Sequence, residues 1–311
     1  MVTKTNVKNA KTNKKTNAKS VVKNTTRKTK KARKFPTGLV LEILLVIVAI
    51  VGVTALAIFN NNKPADYIVE TNAFFAPFEF YEGREIKGVD VDIINRVAEY
   101  MNKKIDIKDV EFDVIIDNVE AGKIADAGAA GLTITPARQE KVNFSIPYYT
   151  SQQYIIYSKD AGATLRDGHI VWNELAGKKV GTQTGSTGYL FTADEIDGGV
   201  LKDAGTELKG FDSHQLAADA ISAHIIDYAI ADELPAKMIV SKNSNLAVAP
   251  LYYMGVTVEE DYPAEESYAI AVNKEQTELL EAFNAVLAEM LTEDSEGVTG
   301  IDRLVLKYMG F

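Results

Sequence analysis

The sequence predicts an α/β protein built on mainly parallel sheets, and three observations carry that expectation. From about residue 66 onward, short apolar or small-residue runs alternate with segments of helical periodicity. Several strand-like runs end on a polar residue or a Gly/Ser/Thr loop that leads into a helix, as open α/β sheets require. The chain has no cysteine and no internal repeat, so neither a disulfide framework nor a solenoid explains the pattern.

The elements follow in order. Tyr67–Thr71 is a short β run ending in Asn72, and Asp90–Met101 places Val91, Ile94, Val97, Ala98 and Met101 on one helical face. Ile105–Ile107 reads as a strand and Phe112–Ala121 as a helix stopped by Gly122. Ala125–Ala130 is a small-residue strand that feeds Gly131-Leu-Thr-Ile-Thr-Pro-Ala-Arg138. There Thr135 is an N-cap, Pro136 suits the first helical position and Arg138 falls in the first turn. A second α/β unit begins with strands at Tyr154–Tyr157 and Lys179–Gly181, then the loop Thr182–Gly188 and a helix from Tyr189. Gln215–Ala223 reads as a helix, and Asp227–Ala231 as a strand with Asp232 at its end. Tyr268–Val272 is a last strand, and Glu275–Leu291 an amphipathic helix with Leu279, Leu280, Phe283, Val286, Leu287 and Met290 on its apolar face.

The 60 residues before this body differ from it. Residues 1–34 hold thirteen Lys/Arg and no acid, whereas the chain from residue 60 onward carries 21 bases against 42 acids. Between tail and body runs Leu39–Phe59, twenty-one residues with Glu42 as the one charge, long enough to cross a hydrocarbon core. A basic flank on the N-terminal side keeps that end cytoplasmic and exports the body. Residues 37–59 are therefore expected to be a transmembrane signal anchor, with 60–65 as a linker. The rival is a cleaved signal peptide, since Ala55-Leu56-Ala57 has the small-x-small cleavage pattern. The tail belongs against anionic lipid headgroups, and no nucleic-acid partner is expected. Without cysteine there is no thiolate metal site, no Cys nucleophile and no acylated-Cys lipoprotein anchor.

Three strand-end features then converge: Arg138, the Thr184–Gly188 loop and Asp232. A helix N-terminus with an Arg favours a planar carboxylate. A Gly/Ser/Thr loop before a helix offers backbone N–H groups to an anion. The loop is no nucleotide P-loop, because no Lys follows Gly188, and no nucleophile elbow, because Thr184 stands where Gly is needed. An Arg and an Asp in one cleft match the carboxylate and ammonium of a free amino acid.

The order and wording of these segments resemble the polar amino-acid binding proteins of ABC importers. Thr71–Phe80, Gly88-Val-Asp-Val-Asp92, Phe112–Ile116, Gly122–Asp126, Gly131–Arg138, Val142–Tyr149 and Gly177–Gly181 carry the likeness. The resemblance covers about residues 66–311. It implies the periplasmic-binding-protein-like II (Venus-flytrap) fold, two lobes with two hinge crossings, placed near Tyr149–Gln152 and Val248–Leu251. Lobe one would be 66–150 plus 251–311, and lobe two 151–250. The resemblance gives Arg138 the ligand carboxylate, with Thr133 and the backbone N–H groups of Ser186 and Thr187. Asp232 and the Gly131 carbonyl would hold the ammonium, and Phe75 and Phe112 would sandwich the side chain, with Phe78 in the core. Asn72 stands where relatives that bind Lys, Arg or His have Asp, which favours a neutral, glutamine-like ligand. Gln183 and Glu79 are expected to line the pocket too, and they keep cationic ligands open.

The expected partners are a free L-amino acid, importer membrane subunits and the membrane itself, with the chain a monomer on the extracytoplasmic face. No cofactor is expected, and His169, His214 and His224 lack zinc spacing. Two other classes stay in view. One is a membrane-tethered amino-acid sensor. The other is an enzyme like the cyclohexadienyl dehydratases, against which stands the lack of any paired acid/base spacing.

Overall fold

In the computed structural model, which describes Glu42, residues 45–51 and residues 64–310, β1 (Tyr67–Thr71) is buried from Val69 to Thr71 on both faces. That is the mark of a central strand covered on two sides. A small antiparallel sheet follows, β2 (Phe74–Phe75), β3 (Glu79–Glu82) and β4 (Glu85–Lys87). It hands the chain to helix α1 (Val89–Met101). The chain continues through β5 (Ile105–Asp109), a 3-10 turn at Phe112–Val114, α2 (Ile115–Ala121), β6 (Ala127–Gly128), α3 (Pro136–Lys141) and β7 (Asn143–Phe144).

The long strand β8 (Tyr149–Ser158) leaves this region and enters a second one. There lie β9 (Ile170–Val171), β10 (Lys179–Gln183), α4 (Thr187–Asp197), β11 (Glu207–Phe211), α5 (His214–Ser222), β12 (Tyr228–Asp232), α6 (Glu233–Ser241), β13 (Leu246–Tyr253) and β14 (Tyr262–Pro263). The chain returns through β15 (Glu265–Tyr268) to β16 (Ala271–Val272), α7 (Thr277–Met290) and α8 (Gly300–Met309).

The first sheet has the order β5-β1-β6-β16-β7, parallel across β5, β1 and β6 and antiparallel at β16. Val69, with Ile93, Ile94 and Val97 of α1 and Leu279, Phe283 and Leu287 of α7, forms its core. In the second sheet β10, β11 and β12 are parallel, while β8 runs antiparallel between β12 and β13. Period-two alternation sends Ile155 and Ile156 of β8 into separate apolar clusters. Every residue of the buried clusters lies between Val69 and Ile301, so the unit Pro64–Phe311 carries a complete core of its own.

One expectation needs correction. Val248–Leu251 is not a crossing: it lies inside β13, where Val248 pairs with Ile156 and Ala249 with Ile155. The return passes instead through β15, whose Glu265–Tyr268 pair antiparallel with Gln152–Tyr149 of β8. The excursion through β14 delays the return by more than ten residues. The strand expected at Ala125–Ala130 is reduced to Ala127–Gly128, although the Asp126 and Ala129 N–H groups still bond to the Ile68 and Glu70 carbonyls of β1. The expected membrane segment, residues 37–59, lies for the most part outside the described residues. Among those described, no helix is long and apolar enough to cross a membrane.

Candidate functional site

The segment after β6 is built as its residues dictate. Thr135 adopts an extended backbone and its hydroxyl accepts the Arg138 N–H at 3.2 Å, with Pro136 next in line. The cap turns the Arg138 side chain inward, where it is 7% exposed. Its guanidinium donates to the carbonyls of Thr133 (2.9 Å) and Gly185 (3.0 Å), and it lies over the Phe112 ring at 5.7 Å. Burial pulls the Arg138 pKa down, while Glu266 and Asp232 oppose that shift.

Gly131 holds the left-handed φ of +56°, and a Cβ there would sit 2.5 Å from the Phe75 ring. Its N–H is held by the Asp90 carboxylate at 3.0 Å, which also accepts the Tyr148 hydroxyl at 2.5 Å. Asp90 is placed by Gly88, where a Cβ would meet the Phe78 carbonyl oxygen at 1.9 Å, so α1 starts hard against β3. Burial raises the Asp90 pKa to about 6, against the two donors that favour its charged form.

Across the cleft stands the end of β10. Gln183 donates to the Asn72 Oδ1 at 2.9 Å and to the Asp212 carbonyl at 3.0 Å, and Asn72 donates to the Val110 carbonyl at 2.7 Å. The two amides thus close one wall between the sheets. Ser186 caps α4 through the Tyr189 N–H, and its own N–H bonds back to Gln183. The expected Ser186 N–H is therefore engaged within its turn. Thr187, the first residue of α4, keeps the position of an N-terminal donor.

Strand register brings three polar residues together beside these loops. Asp232 of β12 pairs with Gln153 of β8, and Ser151, two residues earlier on the same face, pairs with Glu266 of β15. The Gln153 amide donates to both carboxylates. Glu266 also accepts from the Thr133 and Thr187 hydroxyls, each at 2.5 Å. Burial and the adjacent Glu266 push the Asp232 carboxyl well above the usual range. His214 packs on Phe75 with ring centroids 5.6 Å apart and donates from Nδ1 to the Ile230 carbonyl at 3.1 Å. Burial lowers its pKa to about 4, so the ring is neutral near pH 7.

A cavity with only about 10 Å³ of free space lies among these groups, room for about one water and far below the roughly 300–1,000 Å³ of ordinary ligand pockets. Phe75, Phe112, Gly131, Thr133, Gln183, Ser186, Thr187 and Asp232 line it, joined by Ala130 and His214. Asn72 reaches it through Gln183, and Arg138 borders it between Thr133 and Phe112. Glu79 is not part of it. Its carboxyl is fully buried and faces Asp90 and Asp232, so its pKa is raised well above normal, first by burial. Phe78 is wholly buried in the core. Sequence reasoning missed Gln153, Glu266, His214 and Asp90. Of these, only Asp90, inside the Gly88-Val-Asp-Val-Asp92 run, carried a local signal.

A model of the family described as bacterial extracellular solute-binding proteins, family 3, matches residues 67–309. The arginine-binding extracellular protein ArtP of Bacillus subtilis (strain 168) is 28% identical, covering 80% of this chain and 91% of its own. Among solved structures, an ancestral arginine-binding protein bound to arginine is 32% identical, with a TM-score of 0.64, covering 78% of this chain and 98% of that one. An ancestral arginine-binding protein bound to glutamine is 30% identical, with a TM-score of 0.63, covering 80% and 100%. The two sheets joined by β8 and β15 are the two-lobed fold of these structures. The chain belongs to the bacterial extracellular solute-binding proteins, family 3.

Proposed function

We propose that the chain captures a free amino acid with a neutral polar side chain, glutamine-like, between its lobes and delivers it to an ABC importer. Arg138 with the α4 N-terminus would take the carboxylate, and Asp232 with the Gly131 carbonyl the ammonium. Phe75 and Phe112 would flank the side chain. One observation carries the preference for a neutral ligand: the wall between Asn72 and Gln183 is made of two amides, and the acid that lines the cavity is Asp232. An amide wall can donate to and accept from a carboxamide, whereas it leaves a guanidinium charge without a partner. The relatives' names favour a second reading, arginine, and an ancestral arginine-binding protein also holds glutamine. The apolar run 37–59 supports tethering of this receptor at the outer face of the membrane, or its release by cleavage after Ala57.

Thermal-shift screening of the unit Pro64–Phe311 with the twenty amino acids tests this reading, since a ligand stabilises the state it binds by mass action. Glutamine should raise Tm most and arginine less. A rise with arginine alone would replace the neutral ligand by a cation, and no rise with any amino acid would overturn the receptor itself.

A further inference from the structure

Glu266 stands where three elements of the site meet. Its Oε2 accepts the hydroxyls of Thr133, beside the Gly131 turn, and Thr187, at the start of α4. Its Oε1 and the Asp232 Oδ1 both accept from the Gln153 amide nitrogen, which sets the two carboxyl groups side by side. Two carboxyls so placed cannot both be ionised cheaply in a buried site. The groups facing them do not supply a free countercharge. From β3 comes the acid Glu79, from β8 the phenol Tyr149, from β15 the phenol Tyr268 and from α5 the neutral His214. Arg138 is the cation among the described residues that acts on both, and its guanidinium is engaged with the carbonyls of Thr133 and Gly185. The Gln153 Oε1, on a residue 1% exposed, has no hydrogen-bond partner.

We propose that Glu266 is a second carboxylate at the ammonium pole, and that Asp232 beside it holds a proton until the ammonium of the ligand displaces it to solvent. The inference rests on the amino-acid reading above. The balance is simple: a carboxylic acid–carboxylate pair plus R–NH3+ becomes two carboxylates paired with R–NH3+, and one H+ passes to the buffer. An ammonium has three donors, which suits two carboxylates better than one. Capture should then be linked to pH. Below the apparent pKa of the pair, affinity rises about tenfold per pH unit, and above it the dependence levels off.

Calorimetry of the unit Pro64–Phe311 with L-glutamine and L-arginine, at pH 6.5 in phosphate and in imidazole, counts the protons through the different ionisation heats of the buffers. Wild type should release a large fraction of one proton per ligand bound, and Glu266→Gln, which keeps an acceptor for Thr133 and Thr187, should release none. Binding by wild type without proton release overturns the proposal. So does an unchanged proton count in E266Q. If that variant fails to fold or bind, the wild-type count and its pH slope decide alone. Absence of binding by either amino acid is a failure of the receptor reading and is told apart by that result.

Discussion

Replacing Arg138 by alanine separates the ligand clamp from an ordinary capped helix. The guanidinium is 7% exposed, makes two bonds to carbonyl oxygens at 2.9 and 3.0 Å, and rests on the Phe112 ring. Each bond to a charged donor is worth about 1.5–3 kcal/mol when a ligand fixes the geometry. Leaving a buried ligand carboxylate without its cation costs about 2–5 kcal/mol, or roughly thirty- to several-thousand-fold in Kd. The effect on the free protein is smaller, because removing a desolvated cation offsets part of what the two carbonyls lose. Arg138→Lys keeps the charge but not the planar fork, and should fall between wild type and alanine. Calorimetric Kd values for the two variants, read beside their Tm values, make the test. An alanine variant that folds and binds within about threefold of wild type would refute the clamp, since that loss is below 1 kcal/mol.

Two further outcomes follow from the same geometry. Asn72→Asp places an acid against Gln183 and should shift the ratio of arginine to glutamine affinity towards arginine by at least about tenfold, near 1.4 kcal/mol; competition calorimetry with both amino acids reads it, and an unchanged ratio would remove Asn72 from the specificity wall. His214 has a folded pKa of about 4 against 6.5, so the unfolded chain binds its proton first as pH falls. Stability tied to this ring is therefore complete above pH 6.5 and is lost on the way down to pH 4, by about 3 kcal/mol. Asp90 acts in the opposite sense: its raised pKa of about 6 costs stability as pH rises from 3.8 to 6. His214→Gln should thus lose less stability than wild type between pH 6.5 and 4 in denaturant titrations, and parallel losses would contradict a buried neutral ring.

Much of this was legible in local patterns. Thr135 and Pro136 form the cap and first turn that their order predicts, because capping is decided by neighbours in sequence, whereas the burial of Arg138 was not legible in those residues alone. The α7 face holds too: Leu279, Phe283, Val286, Leu287 and Met290 are buried, with Leu280 at the margin. What escaped depends on contacts distant in sequence. Nothing near Glu266 tells that β15 lies beside β8, nor that Gln153 joins it to Asp232. The crossing was misplaced for the same reason, since Val248–Leu251 reads as a strand but does not say which sheet it enters. Glu79 was expected to line the pocket, whereas it is fully buried against Asp90 and does not line the cavity.

The central claim is that the cleft reads the two charged ends of a free amino acid. Calorimetry of L-glutamine against Nα-acetyl-L-glutamine and the α-carboxamide of L-glutamine tests it directly, because each derivative removes one end and leaves the side chain intact. The free amino acid should bind, and each capped form should bind at least about 100-fold more weakly, a loss near 3 kcal/mol. Equal binding of the capped forms would contradict the assignment of Arg138 and Asp232 to those ends.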